Sequence, residues 1–459
     1  MSTQGIRDFR PQLHFTPKTG WINDPNGLVY ENGKYHLFAQ YYQEPHWGPM
    51  HWYHATSTDL IHWEHLPIAL EPDELGYIFS GSAVLDEKNT SGFGQDGKAP
   101  LVAMYTSHGS HSTVDGHGQE QQSIAYSLDG IHFTKYQGNP VIPNTALRDF
   151  RDPKVFHNAV KNCWGMVLAA GDHVEFYASQ DLKSWTKTGQ FGPEGNYSQG
   201  VWECPDLFPL TVNGRELWVL LVSMGPNPQN HGARIQYFTG SFDGDQFVAD
   251  GRFTQPEFVD AGFDNYAGVT YSGTPERLFV GWALNPVYAG NTPTGEYCCQ
   301  MTLPRAATLA DTPKGGPRLA FAPKDQAAFG EAAPWDGNLP GEVFKLTVTG
   351  SGASTITLSN EQGQALRFGV DHQNQAFVDR REAGAKDFDQ YFGQDWAGLL
   401  CAPRFYDGQW EVQFIFDRSI CEMYLDGGTR VFTAAVYPDT PYTKLSTTGK
   451  AEIQIHSLK

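Results

Sequence analysis

The sequence predicts an all-β protein, a five-bladed β-propeller followed by a C-terminal β-sandwich, and three observations carry that prediction. Its 459 residues include 49 Gly and 29 Pro, which divide the chain into short strands, and 14% aromatic residues to fill a large core. A degenerate element, S-x-D-[LG]-x-x-[WF], occurs at Ser57–Trp63, Ser127–Phe133, Ser179–Trp185 and Ser241–Phe247. Past a stretch rich in Pro and Gly, alternating runs such as Phe344–Val348 and Glu411–Phe416 are separated by turn signals like Asp426-Gly427-Gly428.

Each copy of the repeat follows a β-like run, for example Ser123–Tyr126 or Val174–Ala178. An Asp-containing turn followed by an aromatic residue fits a hairpin at the edge of a blade. An interval of about 50–70 residues between copies fits a propeller of four-stranded blades. A fifth blade is expected from Phe263–Tyr266 through Leu278–Trp282 to Leu303–Arg305. The expected organisation is a propeller over 1–310, a joining segment over 311–338 and a sandwich over 339–459.

A net charge of −19 with no basic stripe argues against a nucleic-acid partner. No apolar run is long enough to span a bilayer, so no membrane partner is expected. The segment Met1–Arg10 lacks the apolar core of a secretory signal, so the chain as given is expected to be cytoplasmic; a processed chain would leave the compartment open. Cys163, Cys204, Cys298, Cys299, Cys401 and Cys421 show no metal-binding spacing and read as free thiols. The tripeptides beginning at Asn89 and Asn196 match the glycosylation pattern and matter only in a secreted protein. His108, His111 and His117 fit no standard metal site and suggest a flexible loop at a pocket mouth. No metal and no organic cofactor are expected.

Three acidic motifs stand apart: Trp21–Gly27 (WINDPNG), Arg151-Asp152-Pro153 and Trp202–Asp206 (WECPD). Any one such acid would commonly close a local turn before a proline. Together they fall between copies of the repeat, which puts each on the inner strand of its own blade, facing one channel. Hydrolysis of a glycosidic bond needs such a group: one carboxylate to attack or activate water, and one carboxylic acid to protonate the leaving oxygen.

With Phe79-Ser80-Gly81-Ser82 and the later Asp417-Arg418-Ser419, these motifs resemble, in order, those of the glycoside hydrolases of family 32, the invertases, levanases and exo-inulinases. The resemblance implies a five-bladed propeller with a β-sandwich and retaining hydrolysis of β-fructofuranosides. By motif it makes Asp24 the nucleophile and Glu203 the general acid and then base, which must first carry a proton that neighbouring acids and burial favour. Asp152 would grip fructose hydroxyls and stabilise the transition state, held by Arg151. Asn23, Gln40, Trp47, Phe79 and Ser80 match positions that cradle the sugar, although core packing is the commoner role of a lone Trp or Phe. Asp264 and Trp282 fall where the family's fifth blade reaches the pocket rim.

The chain departs from levanases and exo-inulinases at Asn285-Pro286-Val287-Tyr288, where an aromatic W-Q-Y segment is typical. The expected activity is exo-acting release of fructose from sucrose and short fructo-oligosaccharides. Sucrose 6-phosphate hydrolysis, fructan exo-hydrolysis, fructosyl transfer and a non-enzymatic carbohydrate-binding propeller are the alternatives. The expected partner is a small carbohydrate, and the sandwich offers the surface for a homo-oligomer.

Overall fold

The computed structural model describes residues 7–114, 117–144, 146–193, 200–227 and 231–459, with backbone alone for 110–114, 117 and 118. Asn196 and the side chains of His111 and His117 lie outside the described residues.

The repeat is one self-satisfied turn used again and again. In the first copy Ser57 Oγ accepts the Leu60 amide at 2.8 Å, and Asp59 Oδ1 accepts those of Ile61 and His62 at 3.0 and 2.8 Å. Ser127 with Asp129 and Ser179 with Asp181 repeat the arrangement. Asp243 retains its half, accepting the amides of Asp245 and Gln246. The fourth position is left-handed in every copy, with φ of 69° at Leu60, 72° at Gly130, 61° at Leu182 and 98° at Gly244. Glycine adopts that conformation freely. The two leucines accept the strain with their side chains buried in the core. Each turn leads from the third strand of a blade to its short outer strand, as from His51–Ser57 to Glu64–His65.

Five blades of four antiparallel strands result, two of them with a short extra strand, Tyr297–Cys298 on blade one and Glu257–Phe258 on blade four. Their inner strands are Gly20–Glu31, Tyr77–Leu85, Phe150–Asn158, Trp202–Val212 and Tyr266–Thr270. Blade five ends with Arg305–Thr312 and Gly316–Pro323. The expected boundary at 310 therefore falls inside a strand, and the first part of the expected joining segment 311–338 is blade. Pro317 and Pro323 are tolerated there because this is the outer edge strand. The segment expected as a loop around His108 belongs to a long hairpin, Leu101–Val114 with His117–Ser127.

Hydrogen bonds between blades one and five close the ring. The Gly20 amide donates to Glu296 O at 2.8 Å, Tyr30 N to Ser272 O at 2.9 Å, and Ser272 N to Leu28 O at 2.9 Å.

In the C-terminal sandwich two long strands, Val343–Ser359 and Lys444–Ser457, run side by side through a register shift at Ser351/Thr355 and serve both layers. One layer adds Ala365–Val370, Gln375–Glu382 and Leu399–Pro403; the other adds Gln409–Asp417, Ile420–Leu425 and Arg430–Ala435. Phe368 and Phe414 stack across the interior at 4.0 Å. An apolar cluster joins the propeller to the sandwich through Tyr424, Val431, Ala435 and Tyr437.

Buried charges complete that seam. Asp417 accepts the amides of Gln12, Leu13 and His14 and the His14 Nδ1 proton, so the Asp417-Arg418-Ser419 motif clasps the N-terminal segment. Arg305 bridges Asp260 at 3.1 Å and Glu422 at 2.9 Å. Among the described residues, no helix is long and apolar enough to cross a membrane.

Candidate active site

The inner strand of every blade breaks register near its start. The shifts lie at Ile22/Pro25, Ile78/Gly81, the stretch opposite Ala169/Val167, Glu203/Asp206 and Tyr266/Val269. A bulge re-aims the side chains at its kink. Here the bulges turn Asp24, Ser80, Asp152, Glu203 and Tyr266 toward one cavity of about 610 Å³. Asp152 and Cys204 take left-handed φ values of 67° and 44° at these kinks. Pro153 and Pro205 sit where the ladder is interrupted and Pro25 where it resumes, so a missing amide proton costs little.

The motifs owe their other residues to fixing this arrangement. Trp21 Nε1 donates to Asn23 Oδ1 at 2.7 Å, and Asn23 Nδ2 donates to Asp24 Oδ1 at 2.9 Å. Ser80 Oγ donates to Asp24 Oδ2 at 2.6 Å. Asn26 accepts the Gly81 amide, tying blade one to blade two. Ser82 Oγ donates to Pro153 O at 2.8 Å, tying blade two to blade three. A Cβ on Gly81 would lie 2.0 Å from Met104 O, so no other residue fits there.

Asp152 Oδ2 accepts the Cys204 amide at 2.9 Å. The Cys204 thiol lies 3.5 Å from that same oxygen and 3.6 Å from Asp24 Oδ2, so one buried sulfur touches both acids. Arg151 Nη2 donates to Glu203 Oε1 at 2.9 Å, and the Tyr266 hydroxyl donates to Glu203 Oε2. Burial pushes Asp152 up to about 8; Arg151 opposes the rise, and the charges of Asp24 and Glu203 add to it. Burial works against the charge of Arg151, but Glu203, Glu120 and Asp152 hold its pKa well above the usual arginine value. Arg151 Nε pairs with Asp152 at 4.0 Å, while its shorter bond goes to Glu203 and the Cys204 amide is the hydrogen-bond donor to Asp152.

The cavity is blind. Below the acids the channel narrows to a void of about 10 Å³ among Pro25, Pro153, Lys154 and Pro205. Lys154 lies 3.3 Å from Asp206, which also accepts the Thr270 amide and hydroxyl. Toward the mouth, Phe79 is stacked by His108 at 4.2 Å, and Trp47 stands at the rim, 53% exposed.

Of the residues expected from sequence, Asp24, Asp152, Glu203, Asn23, Gln40, Trp47, Phe79, Ser80, Arg151 and Trp282 line the cavity. Asp264 does not. It is fully buried, pairs with Arg380 of the sandwich, and accepts the Tyr288 hydroxyl and the Ala435 amide. Sequence reasoning missed Tyr266, Glu120 and Asp149 in the lining. Tyr266 sits at the bulge of blade five, where Glu203 sits in blade four, but no acid or proline flags it. Among the described residues, no group of three or more His, Cys, Asp or Glu side chains is arranged to hold a metal ion.

A propeller that gathers three carboxylates and an arginine at the blind end of one cavity defines a glycoside hydrolase. Residues 14–323 match the N-terminal domain of glycosyl hydrolases family 32, and residues 338–459 match the C-terminal domain of that family. The chain belongs to glycosyl hydrolase family 32. It is 40% identical to a levanase of Bacillus subtilis over 94% of this chain and 67% of that protein. It is 36% identical to an extracellular exo-inulinase of Aspergillus ficuum over 98% of this chain and 94% of that one. The crystal structure of exo-inulinase from Aspergillus awamori superposes with a TM-score of 0.89 at 33% identity, covering 99% of both chains.

Proposed function

We propose that the protein releases fructose one unit at a time from the ends of β-D-fructofuranosides, with net retention, and that sucrose and short fructo-oligosaccharides are its best substrates. The carrying observation is the convergence of Asp24, Asp152 and Glu203 at the floor of a cavity closed beneath them. Asp24, oriented by Asn23 and Ser80, attacks the anomeric carbon. Glu203 gives its proton to the glycosidic oxygen as that bond breaks. Water then enters, Glu203 takes one of its protons, and the fructosyl–Asp24 ester is hydrolysed. Asp152 grips ring hydroxyls. The blind floor admits a chain end and excludes a chain interior, which supports exo attack.

Short substrates are favoured in this reading because the wall at Asn285–Tyr288 offers no aromatic face. Asn285 is buried and bonded to the Ala233 and Phe263 carbonyls, Pro286 lines the cavity, and the Tyr288 ring is buried against Arg380. Unpaired cysteines at all six positions support a reducing, cytoplasmic setting, although relatives include extracellular enzymes. The deciding experiment incubates the protein with sucrose, sucrose 6-phosphate, 1-kestose and inulin and follows free fructose. With methanol present, retention yields the β-methyl fructoside. Early release of oligosaccharides from inulin, or an inverted product, would overturn the reading.

A further inference from the structure

A general acid must hold a proton, yet a cation and a hydroxyl both bond the carboxyl of Glu203. Arg151 Nη2 is 2.9 Å away, and Tyr266 adds a second donor. Both stabilise a carboxylate. The rest of the guanidinium is not free, however. Its Nη1 contacts both oxygens of Glu120, at 3.1 and 3.2 Å, and Asp149 Oδ1 at 2.8 Å. One positive charge is thus shared with two further acids that the chemistry does not use.

The two acids are not equal. Glu120 is buried on the strand His117–Ser127, where the His108 ring Nδ1 also lies 3.3 Å from it. Asp149 is more open and lies 3.6 Å from the exposed Arg148, which draws on its charge. Glu203 is faced from blade three by Arg151 and Asp152, from blade one by Asp24, from its own strand by the Cys204 thiol, and from blade five by Tyr266.

We propose that Glu120, with Asp149 in support, is a positioning residue that cancels the charge of Arg151, so that the guanidinium orients Glu203 without stripping its proton at neutral pH. The inference rests on Glu203 being the general acid. Orientation and charge are thereby separated. The short bond to Nη2 fixes where the carboxyl points, while the acids on Nη1 set the field it feels.

The test is the pH dependence of kcat/KM for sucrose in Glu120→Gln, which keeps hydrogen-bonding atoms and removes the charge. Its alkaline limb should move to lower pH by roughly one unit, as expected for losing a nearby charge in a partly screened site. The acid limb should stay in place. At pH 7 kcat should fall more than KM rises. The loss should be clearly smaller on an aryl β-fructofuranoside, whose leaving group departs without a proton. Asp149→Asn should shift the same limb by less, and serves alone if Glu120→Gln does not fold. Glu120→Asp should restore most of the wild-type profile. An unmoved alkaline limb, or equal losses on both substrates at every pH, would overturn the inference and leave Glu120 a structural residue. Glu203→Ala separates the two levels: if it still turns over sucrose, the general-acid assignment itself fails, whereas an inactive Glu203→Ala with an unmoved Glu120→Gln limb sinks only the role of Glu120.

Discussion

Asp152 and Glu422 are both buried carboxylates with an arginine in reach, yet they settle at opposite ends of the scale. Burial raises Asp152 to about 8, because Arg151 is shared among Glu203, Glu120 and Asp149 while Asp24 and Glu203 add their own charge. Burial works on Glu422 too, but Arg305 and His14 outweigh it and bring it down to about 2. At the domain seam the acids Asp260, Asp264, Asp417 and Glu422 meet the cations Arg305, Arg380 and His14. In the cavity five acids crowd the largely covered Arg151, with the exposed Arg148 beyond them. The seam comes close to balance, four acids against three cations, and joins the two domains; the cavity is left short of positive charge, which helps keep the Asp152 proton in place.

The largest expected effect breaks the cavity and spares the seam. Asp24→Asn and Glu203→Gln should each lower kcat/KM for sucrose by at least on the order of a thousandfold. Their melting temperatures should stay at or above wild type, since each removes a charge from a crowded site. A collapse of stability in either would mean that these acids serve the fold as the seam acids do. Glu203→Ala should regain part of its rate with added azide.

Asp264→Ala should do the reverse. Leaving Arg380 buried without its partner should cost about 3–5 kcal/mol in a denaturant titration. Below the unfolding transition, kcat/KM should remain near wild type. A selective loss of activity with unchanged stability would return Asp264 to the pocket.

Between these in strength lies the pH dependence of stability. His14 is raised to about 9: burial lowers it, but Asp417 and Glu422 more than compensate. Its contribution is complete below about 6.5 and is lost as pH rises through about 9. The folded protein also holds the Asp152 proton, raised to about 8, longer than the unfolded chain does. Stability therefore falls from that source as pH climbs from about 4 to 8. Glu422 acts at the other end, its contribution failing as pH drops below about 4.5 toward 2. Thermal unfolding should peak at mildly acidic pH, and Asp152→Asn should flatten the decline up to pH 8. A wild-type maximum at pH 9 would contradict both assignments.

The same contrast explains what could be read from sequence. The blade turns were legible because Ser57 and Asp59, and their copies, bond amides within five residues of one another. Asp24, Asp152 and Glu203 were legible because bulge, proline and acid travel together in the chain. Glu120 and Tyr266 carry no such local mark, since their roles come from partners 31 and 63 residues away. Asp264 misled because its motif puts an acid near the start of blade five without saying which way it faces; a bulge turns Tyr266 into the cavity and leaves Asp264 to the sandwich. The outer strand of blade five was hidden by Gly316, Pro317 and Pro323, residues that an edge strand tolerates and a central strand would not.

The smallest effect concerns chain length, and it turns on which wall of the cavity is apolar. Trp47 is exposed at the rim on the side of blade one, with Phe79 beneath it and His108 stacked on Phe79. The wall of blade five ends in Pro286, and the nearby Tyr288 is committed to Asp264 and Arg380 at the seam. Further sugar units therefore meet an exposed ring at Trp47 and none at Asn285–Tyr288. Each missing ring contact forgoes on the order of 1 kcal/mol, so further fructose units should add little transition-state binding. We expect kcat/KM for sucrose or 1-kestose to exceed that for long inulin or levan several-fold, with fructose the sole early product. Trp47→Ala should weaken 1-kestose more than sucrose, whereas Pro286→Trp should narrow the gap between short and long substrates. Chromatographic profiling over the first few per cent of turnover gives the answer. A wild-type preference for the polymer would mean that a surface beyond this cavity, on the sandwich, holds the rest of the chain.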